Sequence, residues 1–94
     1  MRVTVLVPSV LRGDCGGAHS LDLTLGPDAS LSDLFDAVAG SHPRLERRIR
    51  DEQGNIRRYV NVYVDGEESR HLGGVTAPLK DGTEVQVLPS VAGG

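Results

Sequence analysis

The sequence predicts an α+β fold, a mixed four- to five-stranded sheet packed on one main helix. Three observations predict it. Val3, Val5 and Val7, then Leu21, Leu23 and Leu25, then Val60, Val62 and Val64 recur at every second position, the period of a strand with one buried face. Leu31, Leu34, Phe35 and Val38 instead follow i, i+3, i+4, i+7, the apolar stripe of a single helix. The helix falls between two early and several late strands, so the late strands must cross back to the sheet that the early ones began.

Each element follows from local chemistry. A first strand spans Met1 to Pro8, and the stretch Ser9 to His19, with Gly13, Gly16 and Gly17, reads as a turn-rich connection to the Leu21–Leu25 strand. Gly26-Pro27-Asp28 breaks that strand. Ser30 is placed as an N-cap, its hydroxyl accepting from an unpaired helix N–H, with Asp33 near the positive end of the helix dipole. The helix starts at Leu31, and Gly40 is the expected stop. After Pro43, Leu45 and Ile49 suggest a further helical turn before a polar loop at Asp51 to Asn55. Tyr59 to Val64 is the strongest strand, closed by the Asp65-Gly66 turn. Glu67 to Arg70 reads as a short edge strand, Lys80-Asp81-Gly82 as a tight turn, and Glu84 to Leu88 as the last strand. Pro89, without an N–H, is expected to end the ladder. Residues 1–89 then form one domain and residues 90–94 a flexible tail. This order is the β-grasp, or ubiquitin-like, arrangement.

Composition narrows the function. Ninety-four residues make a single domain whose hydrophobic 38% is almost wholly aliphatic. A net charge of −3 argues against general nucleic-acid binding, which needs a basic surface to displace counterions. One basic cluster exists, Arg44, Arg47, Arg48, Arg50, Arg57 and Arg58, and reads as a solvated face that an acidic partner or RNA could meet. No apolar run is long enough to span a bilayer, and no leader pattern opens the chain. The single Cys15 fits a reducing cytoplasm and reads as an incidental surface thiol. His19, His42 and His71 lack metal-ligand spacing, so no metal site is expected. Asp33 and Asp36 read as a polar helix face, and no catalytic residue emerges.

The end of the chain carries the chemistry. Ser90-Val91-Ala92-Gly93-Gly94 closes on a diglycine whose missing Cβ atoms allow passage through a channel too narrow for other residues. Five residues reach at most roughly 17 Å when extended, enough to enter a cleft from a docked body. Fraying alone would also explain a terminal Gly-Gly. An α-carboxylate is ionised at neutral pH and is a poor electrophile, so it must be activated before it can react. The chain has no phosphate-loop motif, so activation must come in trans.

Four segments carry a family resemblance: Val3 to Pro8 with Leu11-Arg12, Arg58 to Val64, His71-Leu72-Gly73-Gly74, and Leu79 to Val85 with Leu88 to Gly94. Together they resemble the MoaD/ThiS-type ubiquitin-like sulfur carrier proteins, most closely the CysO-like carriers that supply sulfur for cysteine synthesis. The resemblance implies that an E1-like adenylyltransferase/sulfurtransferase adenylates Gly94 with ATP, and that a persulfide-derived sulfur displaces AMP to leave a thiocarboxylate. It further implies attack on an aminoacrylate held by a pyridoxal-phosphate-dependent, cysteine-synthase-like enzyme, and release of cysteine by a JAMM-type metalloprotease. Molybdopterin, a thiazole (through a thiazole-synthase-like partner) or a thiosugar are the other acceptors. The carrier itself would bind no cofactor. Residues Ser90, Val91, Ala92 and Gly93 would enter the partner's active site. Strand alternation turns Thr4, Leu6, Tyr59, Tyr63, Gln86 and Leu88 outward, and Leu6, Tyr59, Tyr63 and Leu88 form the candidate docking face; cross-strand stabilisation of the sheet explains Tyr59 and Tyr63 equally well. Two other readings stand beside the carrier: a ubiquitin-like modifier conjugated through Gly94, and a β-grasp interaction module with an inert tail.

Overall fold

The structure, a computed structural model, describes residues 1–90. Five strands form one sheet in the order β2-β1-β5-β3-β4, with β1 at Arg2–Leu6, β2 at Ser20–Thr24, β3 at Val60–Val64, β4 at Glu67–Glu68 and β5 at Glu84–Pro89. β1 pairs antiparallel with β2 and parallel with β5, which in turn pairs antiparallel with β3. The last strand therefore lies in the middle of the sheet. This is the β-grasp arrangement, with its crossing helix α1 at Leu31–Ser41 and a shorter helix α2 at Pro43–Ile49.

Period-two alternation does what the valines predict. Val3, Val5, Val7, Val60, Val62, Val64, Val85 and Val87 are all buried and meet Leu31, Leu34, Phe35 and Val38 of α1, with Leu45 and Ile49 of α2 closing the same core. Ser30 caps α1 as expected, and Asp33 completes a capping box by accepting the Ser30 N–H at 2.8 Å. Asp65 and Gly66 both have positive φ, 47° and 86°, the paired left-handed residues that a two-residue hairpin turn requires between β3 and β4.

Four local expectations change. Gly40 does not end α1, which continues to Ser41 and passes through His42 into α2, where Pro43 occupies the first turn without needing its N–H. The Ser9 to His19 connection is not only turns: Ser9–Cys15 forms a 3-10 helix that buries Leu11 and Cys15. Cys15 is thus a core thiol rather than a surface one, its Sγ donating toward the carbonyls of Arg12 and Ala18 at 3.6 and 3.5 Å. Finally, the segment after β4 turns into two 3-10 pieces, Ser69–Leu72 and Gly74–Thr76, instead of extending as an edge strand to Arg70.

The basic cluster also divides. Arg50 is buried, with Nε on Glu46 and Nη2 on Asp36, both at 2.9 Å, and its guanidinium 5.7 Å from the centre of the Phe35 ring. It ties α2 to α1, and Asp36 is its partner rather than part of a merely solvated face. No helix among the described residues is long and apolar enough to cross a membrane.

Candidate functional site

Because β1 and β5 run parallel, their C-terminal ends lie at the same edge of the molecule, and the antiparallel β3 begins there too. The site is built at this edge. Pro89, expected to end the ladder, is instead its last strand residue, opposite Val60. The hydrogen-bond phase explains why. Asp65 N–H donates to the Glu84 carbonyl at 2.9 Å and Ser90 N–H to the Tyr59 carbonyl at 2.6 Å, so the bonded pairs fall on alternate residues and Pro89 occupies a non-bonded position. Its missing N–H points away from β3, toward the side where β1 has already ended at Leu6. Ser90 is thus still held by the sheet, with Asn61 Nδ2 also reaching its hydroxyl at 3.4 Å. Val91, Ala92, Gly93 and Gly94, the remainder of the expected arm and its sulfur-bearing end, lie outside the described residues.

The same register puts three of the candidate docking residues, Leu6, Tyr63 and Leu88, on one face, while Tyr59 lies in the turn just before β3. Leu6 and Tyr63 stand opposite Gln86 from its two sides, about 10 Å apart across three strands, and Leu88 pairs with Asn61 one step closer to the edge. Leu6 and Tyr63 are half-buried. Tyr59 and Leu88 are 57% and 38% exposed, and with Val10 they are the large hydrophobic residues most open to solvent among the described residues. Two of these three, Tyr59 and Leu88, flank the position of Ser90 in the ladder.

Arg70 belongs to this edge and was not singled out by sequence. Its guanidinium donates to the carbonyls of Val60 and Arg57 at 2.8 and 3.1 Å, to Asn61 Oδ1 at 3.1 Å and to Glu68 Oε1 at 2.9 Å. In the ladder phase set by Ser90, the Val60 carbonyl faces away from β5, and the two-residue β4 is too short to reach it. Arg70 takes the place of the absent strand, fixing the start of β3 and, through Asn61, the support of Ser90. Only the Glu68-x-Arg70 spacing hinted at it; the rest depends on the chain turning back after β4.

On the helix side of the same edge, Leu11, Arg47, Arg48, Arg57, Tyr59, Val60 and Pro89 line a groove of about 280 Å³. Among the described residues the arrangement pairs no nucleophile with an adjacent base. What the described residues offer is a central strand that ends at Ser90 between an apolar face and a basic groove.

Comparison with known proteins agrees with this architecture. Sulfur carrier protein CysO of Mycobacterium tuberculosis is 40% identical over 97 residues, covering 100% of both chains. A chain in the crystal structure of the Amycolatopsis orientalis BexX/CysO complex superposes with a TM-score of 0.86 at 38% identity, covering 98% of this chain and 99% of that one. Small archaeal modifier protein 1 of Haloferax volcanii is 33% identical over 81 residues, 86% of this chain and 88% of its own, and its crystal structure matches with a TM-score of 0.84. The ThiS family model matches residues 14–94. With its β-grasp body, its central last strand and this match over most of its length, the chain belongs to the ThiS family.

Proposed function

We propose that the chain is a cytoplasmic sulfur carrier whose Gly94 bears sulfur as a thiocarboxylate. The observation that carries this reading is the placement of the last strand: β5 sits between β1 and β3, is bonded through Ser90, and leaves four residues beyond an edge that displays Tyr59 and Leu88. The 40% identity to a CysO carrier over the full length supports the same role. An E1-like enzyme joins the Gly94 carboxylate to the AMP moiety of ATP with loss of pyrophosphate. A persulfide sulfur then attacks the acyl carbon and expels AMP; a thiol reduces the resulting acyl disulfide, leaving the thiocarboxylate. Cysteine synthesis is the proposed destination, with a pyridoxal-phosphate-dependent partner accepting the sulfur. The carrier contributes positioning, and the chemistry belongs to its partners.

The fold divides this labour physically. Leu6, Tyr63 and Leu88 dock the sheet face, while Val91 to Gly94 supply the narrow backbone that enters the active site. Likeness to a small archaeal modifier protein favours a second reading, in which the same acyl-adenylate is passed to a lysine to form an isopeptide bond. Intact mass after incubation with the E1-like enzyme, ATP and a sulfur donor tests both. Replacement of one oxygen by sulfur is the expected result; lysine conjugates in cell extract would replace the carrier by the modifier. No change with a competent enzyme, together with no conjugates, would refute both and leave an interaction module.

A further inference from the structure

The basic groove is not accounted for by the carrier chemistry. Of the six clustered arginines, Arg50 is consumed by the core and Arg48 is paired with Asp14 at 3.3 Å. Among the described residues Arg47 and Arg57 form no ion pair, although Arg57 Nε donates to the Arg47 carbonyl at 2.8 Å and so fixes one guanidinium beside the other's backbone. Leu11, Tyr59, Val60 and Pro89 contribute apolar surface between these charges. The groove therefore combines open guanidinium groups with a small apolar floor, and Pro89 places it one residue from Ser90.

Its sign runs against that of the whole protein, whose net charge is −3. The opposite ends of β3 and β5 carry Asp65, Glu67 and Glu84. The groove is thus a local basic pole at the Ser90 end of the central strands, with Asp51 and Glu52 on the far side of Arg47 and Arg57, and with Arg2 and Lys80 among the acidic residues at the other end. We propose that the groove receives an acidic segment of the protein that takes up this chain end, with carboxylates on Arg47 and Arg57 and one apolar side chain against Leu11 and Tyr59. Guanidinium groups pair with carboxylates through two parallel hydrogen bonds, so the groove specifies orientation as well as sign. Complementary charge at such a rim acts mainly on the encounter rate and on its salt dependence, turning the basic pole toward the partner before the chain end enters. The surface is less suited to RNA, because the overall charge repels phosphate and only one aromatic side chain lines the groove.

The inference rests on the carrier reading only in taking the recipient to be a protein, and its test needs no activating enzyme. Full-length chain labelled with nitrogen-15 is titrated with an acetylated, amidated Asp-Glu-Leu-Glu-Asp peptide, with an Asn-Gln-Leu-Gln-Asn peptide, and with a single-stranded RNA hexamer. The expected result is that the acidic peptide alone shifts the amides of Leu11, Arg47, Arg57 and Tyr59, that binding weakens at least about tenfold when salt is raised from low to physiological strength, and that Arg47→Glu with Arg57→Glu abolishes it. Arg47→Gln alone, which leaves Arg57 and its bond to the residue 47 carbonyl in place, serves if the double variant does not fold. Shifts elsewhere, no shifts, undiminished binding by the variants, or a stronger response to RNA would overturn the proposal. A chain that binds the peptide but is never adenylated would refute the carrier reading and leave the groove assignment standing.

Discussion

Replacing Arg50 by leucine isolates the contact that joins the two helices. The side chain is 8% exposed and makes two 2.9 Å ion pairs, yet its partners differ: Glu46 is 17% exposed and Asp36 is 67% exposed. Removing one member of a fully buried pair costs about 3–5 kcal/mol because the other charge is left unpaired in a poor solvent. Asp36 is hydrated and loses little, as exposed pairs are worth at most about 1 kcal/mol. Glu46 retains some solvent access, and leucine restores part of the packing against Phe35. The expected loss is therefore about 2 kcal/mol, or roughly 8–16 °C in Tm for a domain of this size. Urea unfolding followed by circular dichroism measures it, alone and in a cycle with Glu46→Leu. Since a buried pair exchanged for apolar residues is often neutral, the double variant should recover stability relative to Arg50→Leu. A single-variant loss below about 0.5 kcal/mol with no coupling to Glu46 would show that Arg50 is solvated in solution and that α2 is held by Leu45 and Ile49 alone.

Two glycines give opposite predictions. Gly73 has φ of 103°, and a Cβ there would lie 2.7 Å from Thr76 Oγ1, so Gly73→Ala should lower stability by about 1–2 kcal/mol in thermal unfolding. Gly40 has open space at its Cβ position inside α1, so Gly40→Ala should raise it by roughly 0.5–1 kcal/mol. On the docking face, Leu6→Ala and Leu88→Glu should raise the KM for the carrier in ATP–pyrophosphate exchange while leaving the unfolding transition in place; turnover equal to that of the unaltered chain would remove the sheet face from the proposed interface.

The sheet and the main helix were legible because each is encoded locally: alternating valines settle which strand faces are buried, and Ser30 with Asp33 announces the helix start. The rest depends on residues that are distant in sequence. Leu11 and Cys15 are four residues apart among glycines, a spacing too sparse to reveal a 3-10 helix until α2 is present to cover them. Arg50 could be grouped with its neighbours only because its burial depends on α1. The candidate site shows the same division. Leu6, Tyr59, Tyr63 and Leu88 were placed on the outward side by alternation, whereas Arg70 and the role of Pro89 follow from ladder phase, which no single strand contains.

The central position of β5 also bears on mechanical load. A recipient that draws the chain end into a deep channel pulls on Ser90 along the strand axis, and the bonds to β3 lie across that direction. The load is then shared in shear by the ladders on both sides rather than opening them one rung at a time, as it would if the end were peeled from a sheet margin. Under the proposed function, a pull on the last residues would therefore meet shear resistance from both neighbouring strands.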